Sequence, residues 1–71
     1  MDEPRHANIF RGRKLTELRK QKGINQNVLA QKLNSNKSSI SKLETGKTRP
    51  TPTQEHNICT YFNVEKDYFR K

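Results

Sequence analysis

From Ile9 onward the apolar residues fall at helical spacing, and nowhere do they alternate with period two over a useful length. Phe10, Leu15 and Leu18 are spaced for one face of a first helix, and Gly23 stands where a helix stops. Asn25 is placed to cap a second helix over about 26–33, in which Val28, Leu29 and Leu33 follow at helical spacing with Ala30 beside them. Asn34-Ser35-Asn36 breaks that helix, because Asn tolerates the left-handed conformation of a tight turn. Asn36 then caps a third helix over about 37–45, whose inward pair is Ile40 and Leu43, and Gly46 ends it. Thr51-Pro52-Thr53-Gln54 is a strong start signal: Thr caps, Pro takes the first helical position, and Gln reaches back to complete a capping box. This fourth helix runs to Phe62, with Ile58, Cys59 and Phe62 facing inward. Asn63 and Val64 turn the chain into a short fifth helix holding Tyr68 and Phe69. The expected fold class is therefore all-α, a compact five-helix domain over 9–71. Residues 1–8, with Pro4 and no apolar side chain beyond Met1 and Ala7, read as a disordered arm.

Length sharpens this picture. A chain of 71 residues makes one small domain, which buries only about 60% of the surface its unfolded form exposes. Fourteen Leu, Ile, Val and Phe supply a thin core, so a roomy substrate pocket is not expected, nor are most monomeric enzyme folds. No nucleophile–base–acid set appears, and the expectation is a non-enzymatic chain without cofactor. The single Cys excludes an intramolecular disulfide framework, and one Cys with two His is too few for a zinc finger. No apolar run approaches the roughly 18 residues of a transmembrane helix. The opening MDEPRHAN is acidic, then polar, and does not read as a signal peptide. The expected compartment is the cytoplasm.

Charge changes the picture more. The net charge is +8, and its distribution is uneven. Between Arg11 and Arg49 lie eleven basic residues and only two acids, Glu17 and Glu44, while the two ends together are nearly neutral. A basic middle of this kind points to a polyanionic partner, nucleic acid before membrane. A membrane-surface peptide would need a wide Trp/Phe/Leu face, and there is no Trp.

Two short helices joined by a three-residue turn are the helix-turn-helix arrangement. It demands a small residue midway along the first of the two, where the second crosses closely. Ala30 is that residue, and Leu29, Leu33, Ile40 and Leu43 are the apolar clamps. The stretch KLTELRKQKGINQNVLAQKLNSNKSSISKLETGKTRP resembles the DNA-binding domain of the XRE/Cro-type, lambdoid phage repressor-like, helix-turn-helix family. Leu15, Leu18, Arg19, Gly23, Gln26, Leu29, Ala30, Leu33, Ile40, Leu43, Glu44, Gly46 and Pro50 carry the match, which extends more weakly through Phe62-Asn63-Val64 and Asp67-Tyr68-Phe69. The resemblance implies a five-helix, lambda-repressor-like domain that binds operator DNA, commonly as a dimer, in a bacterial nucleoid or phage-infected cell. There are three departures from the family pattern. Asn34 replaces the usual turn Gly, Ser35 replaces an apolar residue, and Glu55 and His56 occupy early fourth-helix positions that are usually apolar.

Burying Ile40 and Leu43 leaves Lys37, Ser38, Ser41, Lys42 and Thr45 on the outer face of the third helix, with no acid among them. Such a helix suits a major groove, where Lys donates to guanine O6 and N7. The resemblance assigns base reading to Lys37, Ser38 and Ser41, at the start of this helix that Asn36 caps. Gln26, opening the second helix, can hold a phosphate together with the free N–H groups there. Lys47, Thr48 and Arg49 follow the third helix and would contact the DNA backbone or lie along the minor groove. The resemblance pairs Arg19 with Glu44 as a structural link, consistent with an acid that turns away from DNA. Tyr61, Tyr68 and Phe69 are bulky for the core left after the fourth helix, and form a candidate dimer surface.

Other signals carry little. Gly46-Lys47-Thr48 resembles the end of a phosphate-binding loop, but position 41, where the first Gly belongs, is Ser. His56 and Cys59 are two potential ligands and not a metal site. The reading is a sequence-specific regulator, a repressor, that occupies a palindromic operator in double-stranded DNA as a homodimer, with no small-molecule ligand. The rival reading is a protein-interaction module on the same fold, such as an antitoxin or coactivator.

Overall fold

The computed structural model describes residues 10–70; the N-terminal arm expected over 1–8 lies outside them. Four α-helices follow one another, α1 (Gly12–Gln21), α2 (Gln26–Lys32), α3 (Lys37–Thr45) and α4 (Pro52–Phe62), then a 3₁₀ turn, Lys66–Arg70. No strand occurs among the described residues. The expected fifth helix is thus a 3₁₀ turn, and the α-helices among the described residues number four. Five residues give too few hydrogen bonds to repay α-helix nucleation. The steeper rise of a 3₁₀ turn still carries Phe69 into the core. No helix among the described residues is long and apolar enough to cross a membrane.

Side-chain caps set the starts of α2, α3 and α4. Asn25 Oδ1 accepts from the Val28 N–H at 2.9 Å, and Asn36 Oδ1 from the Ser39 N–H at 2.8 Å. Thr51 and Gln54 form the expected box, with Gln54 N–H donating to Thr51 Oγ1 and Thr51 N–H to Gln54 Oε1. Each satisfies donors that a helix start otherwise leaves open. Two ends use left-handed Asn, Asn34 after α2 and Asn63 after α4. Asn34 thereby does the work of the Gly it replaces. α1 begins later than the periodicity suggests, because Arg11 is extended and Phe10 leaves the helix line to stack on Phe69, ring centroids 4.8 Å apart.

The core is Leu15, Leu29, Ile40, Ile58 and Phe69, all fully buried, joined by Phe10, Ala30, Leu43 and Cys59. Phe69 is therefore a core residue and no part of a dimer surface. Its ring is enclosed by Phe10 and by Tyr68, and its carbonyl accepts the Arg11 N–H at 2.8 Å. Phe62, expected inward, is only half-buried. Ser35 leaves a small apolar cleft among Leu33, Ile40, Leu43 and Ile58, where a larger side chain would fill space. The departure at Glu55 is resolved by an ion pair: Arg70 Nη2 donates to both Glu55 oxygens, at 2.8 and 3.0 Å, over a carboxylate only 5% exposed. His56, next to it, is exposed. No cluster of three or more metal-ligating side chains forms among the described residues.

Two contacts fix α1 against α3. Gly12 is buried, and a methyl group there would fall inside contact distance of the Leu43 and Glu44 carbonyl oxygens. Farther along α1, Arg19 and Glu44 form the expected pair: Nε to Oε2 at 2.7 Å and Nη2 to Oε1 at 3.3 Å, a guanidinium fork on a carboxylate. Arg19 Nη1 also donates to the Ile24 carbonyl, in the loop between α1 and α2, and Gln26 Nε2 donates to Glu44 Oε1 at 2.9 Å. One carboxylate thus joins α1, α2 and α3. Burial by itself would raise the Glu44 pKa. Hydrogen bonds from Arg19, Gln26 and Thr16, with the Arg19 charge, outweigh it and hold the carboxyl below its ordinary value of 4.5.

Glu44→Ala is expected to cost about 3–5 kcal/mol, because it strands a mostly buried guanidinium, and urea unfolding measures it. Since the folded pKa is depressed, the Glu44 contribution is complete above pH 4.5 and fades as pH falls through the folded value. Acid titration of stability should therefore show a limb below pH 4.5 that Glu44→Gln flattens; an identical limb in that variant would assign it to another carboxylate. Gly12→Ala should destabilise the domain by at least about 1–3 kcal/mol, as overpacking does, since backbone and not a flexible side chain meets the added methyl. A Tm equal to that of the unchanged chain would contradict so close an approach.

Candidate nucleic-acid interface

The α2–α3 unit presents its second helix to solvent because its two large apolar residues point the other way. Ile40 and Leu43 are buried, whereas Lys37, Ser38, Lys42 and Thr45 are exposed and Ser41 is half-buried. These five residues and Lys47 line one shallow, open cleft. All six were marked by the sequence: the helical period and the two core residues sufficed for the five on α3, and Lys47 was marked as part of the basic loop that follows.

Lys47 joins the face through backbone geometry. Gly46 ends α3 at φ 82°, a conformation that a Cβ would strain. The chain then folds back, and the N–H groups of Lys47 and Thr48 both donate to the Lys42 carbonyl, at 2.9 and 3.4 Å. Thr48 and Arg49 continue outward, both exposed, and do not line the cleft itself. Lys37, Ser38 and Ser41 stand on the first two turns of α3, a start held in place by the Asn36 cap.

Three side chains are already partly committed. Asn36 spends its carbonyl oxygen on the Ser39 N–H, which leaves its amide N–H groups for an outside acceptor. Thr45 Oγ1 donates to the Ser41 carbonyl at 2.9 Å, so it offers lone pairs and a methyl group outward. Gln26 gives one amide hydrogen to Glu44, keeping a second hydrogen for a phosphate. The spacing pattern picked out Gln26 as a helix opener but did not reveal this bond. It registers the start of α2 on the last turn of α3, so that Gln26 and the α3 face move as one body.

Arg11 and Arg13, which sequence reasoning passed over, sit at the start of α1 beside the end of α3. The signal for them was Gly12, a poor helix former in the first turn of a helix, where close backbone approach is the usual reason for Gly.

Among curated proteins no match to the chain was found. A helix-turn-helix family model matches residues 15–69, a span that takes in most of α1, all of α2, α3 and α4, and Phe69. With its small, buried Ala30, its four-residue turn between α2 and α3 and its polar α3 face over an apolar clamp, the chain belongs to the XRE/Cro-type helix-turn-helix family, whose role is DNA binding in regulation.

Proposed function

We propose that this chain is a sequence-specific regulator, a repressor, that reads an operator in double-stranded DNA by laying α3 in the major groove. The observation that carries the reading is the outer face of α3. It is exposed, basic and free of acid along its length, while the one acid of the helix, Glu44, is turned inward to Arg19. Lys37, with Ser38 and Ser41, would meet base edges. Lys42, Thr45, Lys47, Thr48 and Arg49 flank them, and with Asn36 and Gln26 they would bind phosphates and set the register. Occupation of the operator would block polymerase.

Two copies on DNA would place their α3 helices about 34–36 Å apart, in successive major grooves of a palindromic site. With Phe69 in the core, the surface for this contact reduces to Tyr61 and Tyr68, both half-buried. A lysine stands over each ring at 5.0 Å, Lys22 over Tyr61 and Lys14 over Tyr68. Two half-buried rings suit association on DNA and not a tight free dimer.

Lys37→Ala should lower affinity for a selected operator far more than for random duplex, by about 1–3 kcal/mol for a bidentate base contact. Equal loss on both duplexes would move Lys37 to a phosphate. Sedimentation should find a monomer when free and two protomers per operator at saturation. One protomer on a site without two-fold symmetry would end the dimer reading.

A further inference from the structure

The first turn of α1 carries cations for which the helix-turn-helix has no use. Arg11 and Arg13 are exposed, and neither side chain has an ion pair or hydrogen bond among the described residues. Lys14 beside them is engaged: its Nζ donates to the Tyr68 carbonyl at 3.2 Å. The first turn holds no acid, and Arg11, at the cap position, makes no side-chain capping bond. Through Gly12 this turn lies against the Leu43 and Glu44 carbonyls at the end of α3. The cleft that Arg11 and Arg13 line therefore runs to Thr45 and Gly46, and at Thr45 it meets the cleft on the face of α3. Of the two acids on its wall, Glu44 is bound to Arg19, which leaves Glu17 as the exposed one.

We infer that Arg11 and Arg13 form a second phosphate-binding surface, continuous with the α3 face, that grips the backbone of the same DNA duplex. This rests on the reading of α3 as the DNA-binding helix. The occupant follows from charge and continuity. Two guanidinium groups with no partner among the described residues extend a face already carrying Lys42 and Lys47, and a guanidinium fork matches a phosphate in two-point geometry. The contact is blind to sequence, since it reaches phosphate and not base edges. It is also preorganised. The Arg11 N–H is bonded to the Phe69 carbonyl, and Phe10 is stacked on Phe69, so the backbone carrying the arginines is set before DNA arrives.

The test is the salt dependence of binding by the full chain to two probes, a random duplex and a duplex selected by the unchanged protein. Each phosphate contact contributes about 0.9 to the slope of log K against log salt. The double variant Arg11→Ala, Arg13→Ala should therefore flatten the slope by about 1.8, alike on both duplexes. Arg11→Lys with Arg13→Lys should restore most of it. Lys66→Ala, in the 3₁₀ turn and sharing no cleft with α3, should leave it unchanged. If the double alanine variant does not fold, Arg13→Gln alone is read in the same way, with an expected fall of about 0.9. An unchanged slope in a folded arginine variant, while Lys37→Ala still loses the selected duplex, overturns the second surface and spares the α3 reading. An equal fall in Lys66→Ala overturns its location. Absence of duplex binding by the unchanged protein overturns the α3 reading itself.

Discussion

The Glu44 carboxylate is the constraint on which the exposed face of α3 depends. It is the one acid of α3, in a stretch where every other exposed charge of the helix is positive, and it is placed where three helices meet. Arg19 reaches it from α1 and Gln26 from α2, and Arg19 also holds the loop between those helices through the Ile24 carbonyl. The arrangement serves two ends. It removes a negative charge from the exposed face of α3, and it locks the orientation of α3 relative to α2 with directional bonds, which a core this thin would do less well by packing alone. A small domain gains little stability from a buried ion pair as such, because desolvation offsets attraction. Its value here lies in geometry.

The two ends of the described segment supply a second constraint. Phe10 and Phe69 stack, the Arg11 N–H bonds to Phe69, and Arg70 closes over the buried Glu55 of α4. The last turn of the chain thereby becomes the floor under the start of α1. Gly12 completes the joint by letting α1 touch the end of α3 through backbone alone. Aromatic side chains that look surplus when counted against helices one to four are used up in this closure, which is why Phe69 is unavailable to a second copy. The same closure fixes the positions of Arg11 and Arg13.

Much of the local structure could be read directly from residue types. Asn25, Asn36 and Thr51 cap helices because short polar side chains bond free N–H groups, a preference that needs no tertiary partner. Asn34 and Gly46 mark turns for an equally local reason, the left-handed conformation. The outer face of α3 was legible too, since two inward apolar residues determine which others point out. The fifth helix was not legible. Its residues permit a helix, but five residues give too few hydrogen bonds to favour α over 3₁₀ geometry.

By itself, then, the sequence determined the features that neighbours along the chain set for one another: helix starts and stops, the inward and outward faces of α3, and the excess of positive charge in the middle segment. Tertiary structure alone decided the features that depend on meetings between distant residues. Glu55 looks like a misplaced acid until Arg70, fifteen residues on, is found beside it. Gln26 looks like a free helix opener until Glu44 takes one of its hydrogens. Arg11 and Arg13 look like ordinary surface cations until Gly12 sets them next to the end of α3. In each case the residue type is compatible with several partners, and only the packing of the core selects one, because hydrogen bonds and ion pairs act over a few ångströms and the pattern of residues along the chain does not encode those distances.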